Sequence, residues 1–189
     1  SGILGSQVSM AVLSGPSLAG EVAAGLPTAV TLASNDNAFS KVLIARLHSS
    51  FFRVYPSDDL AGVELCGATK NVLAIAVGMS DGMELGANAR SALVTRGLAE
   101  MSRFNQAVGG QQETLLGLAG IGDLILTCGD DQSRNRRFGL ALGKGVDVRS
   151  AEKAIGQAIE GLYNTEQVYQ LAEKHGVEVP IIQQVFYIL

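Results

Sequence analysis

The stretch from Gly62 to Gly78, GVELCGATKNVLAIAVG, places one lysine and one amide inside an apolar run with helical character. A helix that is apolar on every side is expected to be buried, so Lys70 and Asn71 would be buried with it. Burial lowers the pKa of a lysine, and such a lysine can donate or accept a proton in catalysis. The alternative is a structural lysine whose stem is buried while its ammonium group reaches solvent.

A second group of polar residues lies in GIGDLILTCGDDQSRN, from Gly120 to Asn135. Asp123 follows a glycine and precedes an apolar Leu-Ile-Leu run. Ser133, Arg134 and Asn135 open a predicted helix, and the amides at a helix start favour anions. Arginine can also bind a phosphate with two parallel hydrogen bonds. The alternative is a solvated polar face with acidic neighbours.

A third pattern, Gly78-Met79-Ser80-Asp81-Gly82, matches G-x-S-x-G, the nucleophile elbow of α/β-hydrolases. Asp123 and His175 follow it in the chain order of such a triad. The elbow needs a strand before the serine and a helix after it, whereas the preceding residues favour a helix. A serine hydrolase is therefore kept only as the alternative function.

Composition excludes several other classes. The chain has 189 residues, of which 47% are hydrophobic and 17% charged, and its net charge is −4. So apolar a chain is expected to fold rather than remain disordered, and a nucleic-acid partner is disfavoured because cations are not in excess.

Other common motifs are absent from the sequence. No G-x-G-x-x-G or P-loop motif for binding phosphates occurs. His48 and His175 are isolated, so no metal site is predicted.

Compartment and membrane topology are also constrained by the sequence. Cys66 and Cys128 are far apart in apolar contexts, which is typical of buried free thiols in a reducing compartment. Neither a basic leader nor a membrane span is predicted. We therefore expect a cytoplasmic protein.

The elements that would position these residues fall into two groups. Three short strands are predicted at residues 9–13, 28–32 and 51–55, the last of them ended by Pro56. Asn35 or Asp36 can cap a helix that ends near Leu47. A strand–helix–strand order of this kind is typical of the edge of an α/β sheet.

After Pro56 only helices are predicted. A long one, capped by Ser57 or Asp58, should run to about Met79; others are expected over 88–107, 111–118, 133–142, 164–175 and 181–189. The chain is therefore predicted to divide into an α/β segment, residues 1–57, and an all-helical domain, residues 58–189.

In these motifs the chain resembles the bacterial NAD(P)-dependent glycerol-3-phosphate dehydrogenases. The resemblance is carried by LSGPSLAGEVAAGLPTAV (13–30), GVELCGATKNVLAIAVGMSDGMELGANARSALVTRGLAEM (62–101), LAGIGDLILTCGDDQSRNRRFG (118–139) and IEGLYNT (159–165). It implies a mainly α fold: an all-helical C-terminal domain of the 6-phosphogluconate dehydrogenase C-terminal type, preceded by the tail of a Rossmann domain. It also implies reversible hydride transfer between NAD(P)H and dihydroxyacetone phosphate, giving sn-glycerol 3-phosphate for phospholipid synthesis.

The resemblance assigns roles to individual residues. Lys70 is implied as the proton donor and acceptor, with Asp123, Asn71 and Thr127 completing the catalytic group. The residues implied to bind substrate are Gly15, Ser17, Lys70, Asp123, Ser133, Arg134 and Asn135. Those implied to lie near the cofactor are Ala19, Arg134, Ala158 and Glu160.

The sequence departs from the family at its beginning. The glycine-rich loop that binds the cofactor's pyrophosphate is expected before residue 1, so this chain is expected to be a fragment that is inactive alone. The choice between NAD and NADP stays open, and so does a homodimer.

Overall fold

The computed structural model describes residues 8–189. Three strands form one sheet: β1 (Ala11–Ser14), β2 (Thr28–Ser34) and β3 (Phe52–Ser57). β2 lies in the middle, antiparallel to β1 and parallel to β3. All three strands were predicted, but the expectation that Pro56 ends the third is wrong. Within the described sheet β3 is an edge strand, where proline's missing N–H is tolerated.

Two helices accompany the sheet. The predicted helix between β2 and β3 is α2 (Asn37–Leu47), and Asp36 caps it by accepting hydrogen bonds from the Ala38 and Phe39 amides at 2.8 and 3.1 Å. A five-residue helix, α1 (Ala19–Ala23), was not predicted. It places the loop after β1 beside the helical part of the chain.

The predicted long helix is α3 (Leu60–Gly82), and it is the centre of the helical core. Its N-cap is Asp59 rather than Ser57 or Asp58, and the Asp59 carboxylate accepts a hydrogen bond from the Gly62 amide at 2.8 Å. Among the described residues α3 is also the one helix long and apolar enough to cross a bilayer. Because 61% of its most apolar window is buried within the fold, it fits the role of a core helix.

After α3, the described part of the chain forms seven further α-helices and one π-helical turn. In chain order they are α4 (Gly86–Ala107), α5 (Gln112–Leu115), the π turn (Leu118–Gly122), α6 (Asp123–Gly129), α7 (Arg134–Gly143), α8 (Val148–Ile155), α9 (Glu160–Lys174) and α10 (Pro180–Ile188). The helix predicted over 111–118 is wrong beyond Leu115, and α6 and α8 were not predicted. A domain boundary near residue 57 stays a prediction.

The G-x-S-x-G pentapeptide proves to be a helix-packing motif. Gly78 and Gly82 of α3 face Gly139 and Gly143 of α7, and a methyl group on any of the four would overlap the backbone of the opposite helix. Ser80 lies between them, inside α3, and is only 4% exposed. The hydrolase alternative is therefore wrong, because the serine is not on a strand-to-helix turn and faces no cleft.

Candidate active site

One cleft of about 530 Å³ collects nearly all the predicted site residues. It opens where the loop after β1 meets α3, α6, α7 and the start of α9. The predicted residues that line it are Gly15, Ser17, Ala19, Lys70, Asn71, Asp123, Thr127, Ser133, Arg134, Asn135 and Glu160. Ala158 is exposed and does not line the cleft, whereas its neighbour Gln157 does.

The floor of the cleft is an ion pair between Lys70 and Asp123. The Lys70 Nζ lies 2.5 Å from the Asp123 Oδ2, and the side chains are 18% and 3% exposed. Thr127 donates a hydrogen bond to the other carboxylate oxygen at 3.2 Å. The ammonium group therefore ends at a buried carboxylate, in a fixed direction, rather than in bulk solvent.

The local fold explains why Asp123 reaches Lys70. Asp123 is the first residue of α6, directly after the π turn, so its position depends on how that turn is packed. A side chain on Gly120 would overlap the carbonyl group of Leu115. Only glycine allows this close approach, which brings Asp123 against α3.

Asn71 follows Lys70 on α3 but points toward other helices, because successive helical residues are about 100° apart. Its Nδ2 donates to the Glu160 carboxylate at 2.9 Å, and its Oδ1 accepts from the Asn135 Nδ2 at 2.9 Å. Asn135 in turn accepts a hydrogen bond from the Gly161 amide at 2.8 Å. These bonds tie α3, α7 and the start of α9 together beside the ion pair.

Asn135 was expected to bind the substrate directly, together with Ser133 and Arg134. The structure buries Asn135 and engages its amide in this network, so it fixes Asn71 and the start of α9 in place. Direct contact between Asn135 and the substrate stays a prediction.

Ser133 and Arg134 lie at the start of α7. The Ser133 hydroxyl caps the helix by accepting a hydrogen bond from the Arg136 amide at 3.3 Å. The Arg134 side chain is 39% exposed, and its nearest carboxylate, that of Glu160, is 3.9 Å away and itself 59% exposed. This loose contact leaves the Arg134 guanidinium able to bind an anion in the cleft.

Comparison with known proteins identifies the family. Residues 59–189 match the family model of the NAD-dependent glycerol-3-phosphate dehydrogenase C-terminus, and residues 1–40 match that of its N-terminus. The chain belongs to the NAD-dependent glycerol-3-phosphate dehydrogenase family.

Individual relatives agree with the family assignment. Glycerol-3-phosphate dehydrogenase (NAD(P)+) from Coxiella burnetii strain RSA 493 is 68% identical over 183 residues, which are 97% of this chain and 55% of the relative. The protein of that name from Shewanella sediminis is 57% identical, covering 99% and 56%. The chain therefore spans about half the length of the curated glycerol-3-phosphate dehydrogenases that it matches.

Solved structures confirm the expected mainly α fold. The crystal structure of glycerol-3-phosphate dehydrogenase from Coxiella burnetii superposes with a TM-score of 0.95 at 68% identity, over 97% of this chain and 56% of that one. The glycerol-3-phosphate dehydrogenase GPD1 of Saccharomyces cerevisiae gives 0.82 at 33% identity, over 93% and 54%.

Sequence reasoning missed several residues at or behind the cleft of this glycerol-3-phosphate dehydrogenase family member, among them Ser14, Gln132 and Arg136. Ser14 ends β1 with its hydroxyl 3.4 Å from the Asp123 carboxylate, and Gln132 lines the cleft opposite Gly20. Arg136 is buried behind the Asp130–Ser133 loop. Gln132 and Arg136 could have been suspected, because they are immediate neighbours of the Ser-Arg-Asn motif. No local pattern pointed to Ser14, because its partner Asp123 lies 109 residues away.

Both cysteines are confirmed as buried free thiols. Burial raises the pKa of Cys66 to about 12, and the nearby Asp59 and Asp123 charges add to that effect. Burial likewise raises the pKa of Cys128 to about 12. Because a thiol becomes a nucleophile only when it ionises, neither cysteine is a candidate for the chemistry of the site.

Proposed function

We propose that this chain forms the substrate-binding and catalytic part of an NAD(P)-dependent glycerol-3-phosphate dehydrogenase. The reaction would be reversible hydride transfer between NAD(P)H and dihydroxyacetone phosphate, giving sn-glycerol 3-phosphate. The observation that carries the proposal is the Lys70–Asp123 pair, which lies in the same cleft as the exposed Arg134 at the start of α7. A proton donor and an anion-binding group in one cleft are what reduction of a phosphorylated ketone requires.

Lys70 is the proton donor in this mechanism. As the ketone carbon gains a hydride, its oxygen becomes an alkoxide, and the Lys70 ammonium group donates a proton to that oxygen. Before the transfer is complete, the same positive charge stabilises the developing negative charge. In the reverse direction the neutral Lys70 amine accepts the hydroxyl proton.

Asp123 prepares Lys70 for this step. The Asp123 carboxylate oxygen, 2.5 Å from the Lys70 nitrogen, accepts a hydrogen bond and so fixes the direction of the lysine's N–H bonds. Thr127 donates to the other carboxylate oxygen at 3.2 Å, so Asp123 is itself fixed. The Lys70 amino group is therefore oriented before the substrate binds.

The substrate phosphate would be held by Arg134 and the start of α7. An exposed guanidinium can form two parallel hydrogen bonds to phosphate, and the helix N-terminus adds a favourable dipole. Gly15 and Ser17, in the loop across the cleft, complete the proposed substrate site.

The nicotinamide end of the cofactor would lie beside Glu160 and Arg134. A carboxamide offers both a donor and an acceptor, and the exposed Glu160 carboxylate and Arg134 guanidinium, 3.9 Å apart, can pair with both. Ala19 is small enough to leave room for a flat ring. When bound, NAD(P)H supplies the hydride; Ala19, Arg134 and Glu160 would orient it, and the role of Ala158 stays a prediction.

The remaining parts of the proposal concern the protein's surroundings. Two buried free thiols support a reducing, cytoplasmic location. The proposed partners are small molecules rather than nucleic acid, in keeping with the net charge of −4. A homodimer stays a prediction, which gel filtration with light scattering tests.

The test is dihydroxyacetone phosphate reduction by the whole protein that contains this chain, followed by NAD(P)H absorbance. Lys70→Ala should lower kcat by about 10²–10⁴-fold, the usual contribution of an acid/base group. Lys144→Ala is the matched control, since Lys144 is exposed and outside the cleft lining. A Lys70→Ala variant that keeps its kcat would disprove the proposed proton donor.

A further inference from the structure

A buried arginine lies directly behind the loop that carries the proposed anion-binding residues. The Arg136 side chain is 9% exposed, and its guanidinium makes three hydrogen bonds. It donates to the Cys128 carbonyl at 3.0 Å, to the Asp131 carboxylate at 2.5 Å and to the Asp81 carboxylate at 2.7 Å. Each bond uses a different nitrogen of the guanidinium group.

These three partners belong to two parts of the molecule. Cys128 lies in the last turn of α6, and Asp131 lies in the loop of residues 130–133 that joins α6 to α7. Asp81 lies near the end of α3, the helix that carries Lys70. One side chain therefore fixes the end of α6 and the Asp131 position of this loop to α3, the helix that bears the proposed proton donor.

The loop leads directly into the cleft. Gln132 and Ser133 lie in it, and Arg134 follows as the first residue of α7. The Asp130 carboxylate tightens the loop further by accepting a hydrogen bond from the Gln132 amide at 2.8 Å. Loss of the Arg136 contacts would free the loop while the α3–α7 glycine packing remained in place.

We propose that Arg136 is a positioning residue that sets the distance between the anion-binding start of α7 and the Lys70 ammonium group. This inference rests on the proposed function, but its structural part, the clamping of the loop by Arg136, can be tested without any measurement of activity. Lysine could replace only part of the clamp, because its point charge cannot bond three partners held in a planar fork.

The chain offers a matched control at the same carboxylate. Arg90 donates from Nε to both oxygens of Asp81, at 2.8 and 3.0 Å, but its side chain is 43% exposed and it makes no bond to the loop among the described residues. Arg90→Lys therefore perturbs the Asp81 charge pair without reaching the loop. Asp131→Asn does the opposite, because it weakens the loop contact and leaves Arg136–Asp81 intact.

The experiment compares Arg136→Lys, Asp131→Asn and Arg90→Lys in the whole protein by amide hydrogen exchange and steady-state kinetics. Arg136→Lys and Asp131→Asn should speed exchange at residues 130–134. Arg136→Lys should also raise the KM for dihydroxyacetone phosphate by about ten- to 150-fold, the loss expected for one charge-assisted hydrogen bond to phosphate, with a smaller change in kcat. Arg90→Lys should change neither quantity.

The outcomes test the loop clamp and the positioning role separately. Unchanged exchange at residues 130–134 in folded Arg136→Lys would overturn the clamp, whatever the activity. Faster exchange with an unchanged KM, in an active enzyme, would overturn the positioning role. If the wild-type protein reduced no dihydroxyacetone phosphate, the proposed function would fail, while the exchange result would still decide the clamp.

Discussion

Arg134 gives the sharpest test of how the cleft recognises its substrate. Its side chain is 39% exposed, and its one ion-pair partner within 4.0 Å among the described residues, Glu160, is 3.9 Å away and more exposed still. Arg134→Ala therefore removes little that holds the fold together. If Arg134 binds the substrate phosphate, the substitution removes the main charged contact to that group.

The expected effects of Arg134→Ala on stability and on activity differ in size. An exposed ion pair contributes about 0–1 kcal/mol to stability, so the melting temperature of Arg134→Ala should stay close to that of the wild type. A hydrogen bond to a charged group contributes about 1.5–3 kcal/mol, which is about ten- to 150-fold in kcat/KM at 1.4 kcal/mol per factor of ten. Activity should therefore fall while stability does not.

The assay compares dihydroxyacetone phosphate with dihydroxyacetone, which lacks the phosphate, in wild type and Arg134→Ala. The full fall in kcat/KM, about ten- to 150-fold, should be seen only with dihydroxyacetone phosphate. Arg137→Ala is the matched control, because Arg137 is exposed on the same helix and outside the cleft lining. Equal losses for both substrates would refute phosphate recognition by Arg134 and would leave only its proposed contact with the cofactor.

Three further predictions test other parts of the molecule. Ser80→Ala should leave activity intact and cost little stability, because the buried Ser80 hydroxyl has no hydrogen-bond partner within residues 8–189; an inactive variant that remained folded would contradict this. Cys66 and Cys128, each with a pKa near 12, should resist a thiol reagent at about pH 8 until denaturant exposes both, and rapid labelling of the native protein would count against their burial. Burial raises the pKa of Glu100 above 4.5, so the folded state binds this proton more tightly than the unfolded chain does. The contribution of Glu100 to stability should therefore be full below pH 4.5 and fall as the pH rises through the raised pKa; Glu100→Gln should remove that fall, and identical urea-unfolding profiles against pH would contradict the argument.

Much of the fold could be predicted because its signals are local. The strand–helix–strand segment and its Asp36 cap follow from β-branched runs, prolines and a capping residue. The length of α3 follows from its unbroken apolar sequence. Its cap was placed one or two residues early, because Ser57, Asp58 and Asp59 are all acceptable N-caps. Asp59 caps α3 because its carboxylate also accepts a hydrogen bond from the Gln111 amide, 52 residues away.

The segment around Asp123 could not be predicted because its structure also depends on packing rather than on local sequence. The run GLAGIGDLILTCG contains four glycines, which disfavour a helix on intrinsic propensity. The structure nevertheless forms the π turn and α6 there, because the close packing of Gly120 on the Leu115 carbonyl needs a residue without a side chain. Tertiary packing outweighs local propensity at the position where the Asp123 carboxylate is placed.

The sequence singled out most of the residues that line the cleft but could not assign their partners. Lys70 and Asp123 were both singled out, yet nothing local joins residues 53 positions apart. Asn135 was grouped with Ser133 and Arg134 as a substrate-binding residue, and its amide also bonds Asn71 and Gly161. An amide at a helix start fits both roles, and only the packing of three helices could reveal the second.

Arg134 and Arg136 show most clearly where the sequence becomes insufficient. Both belong to one Ser-Arg-Asn-Arg-Arg run, and both could be read as part of a solvated basic face. Because residues two apart on a helix face different directions, Arg134 points into the cleft and Arg136 toward α3. There Arg136 meets Asp81, the acidic residue of the pentapeptide that had suggested a hydrolase. The glycines of that pentapeptide bring α7 close enough to α3 for the two side chains to meet, so the motif bears on the proposed chemistry only through the helix packing it permits.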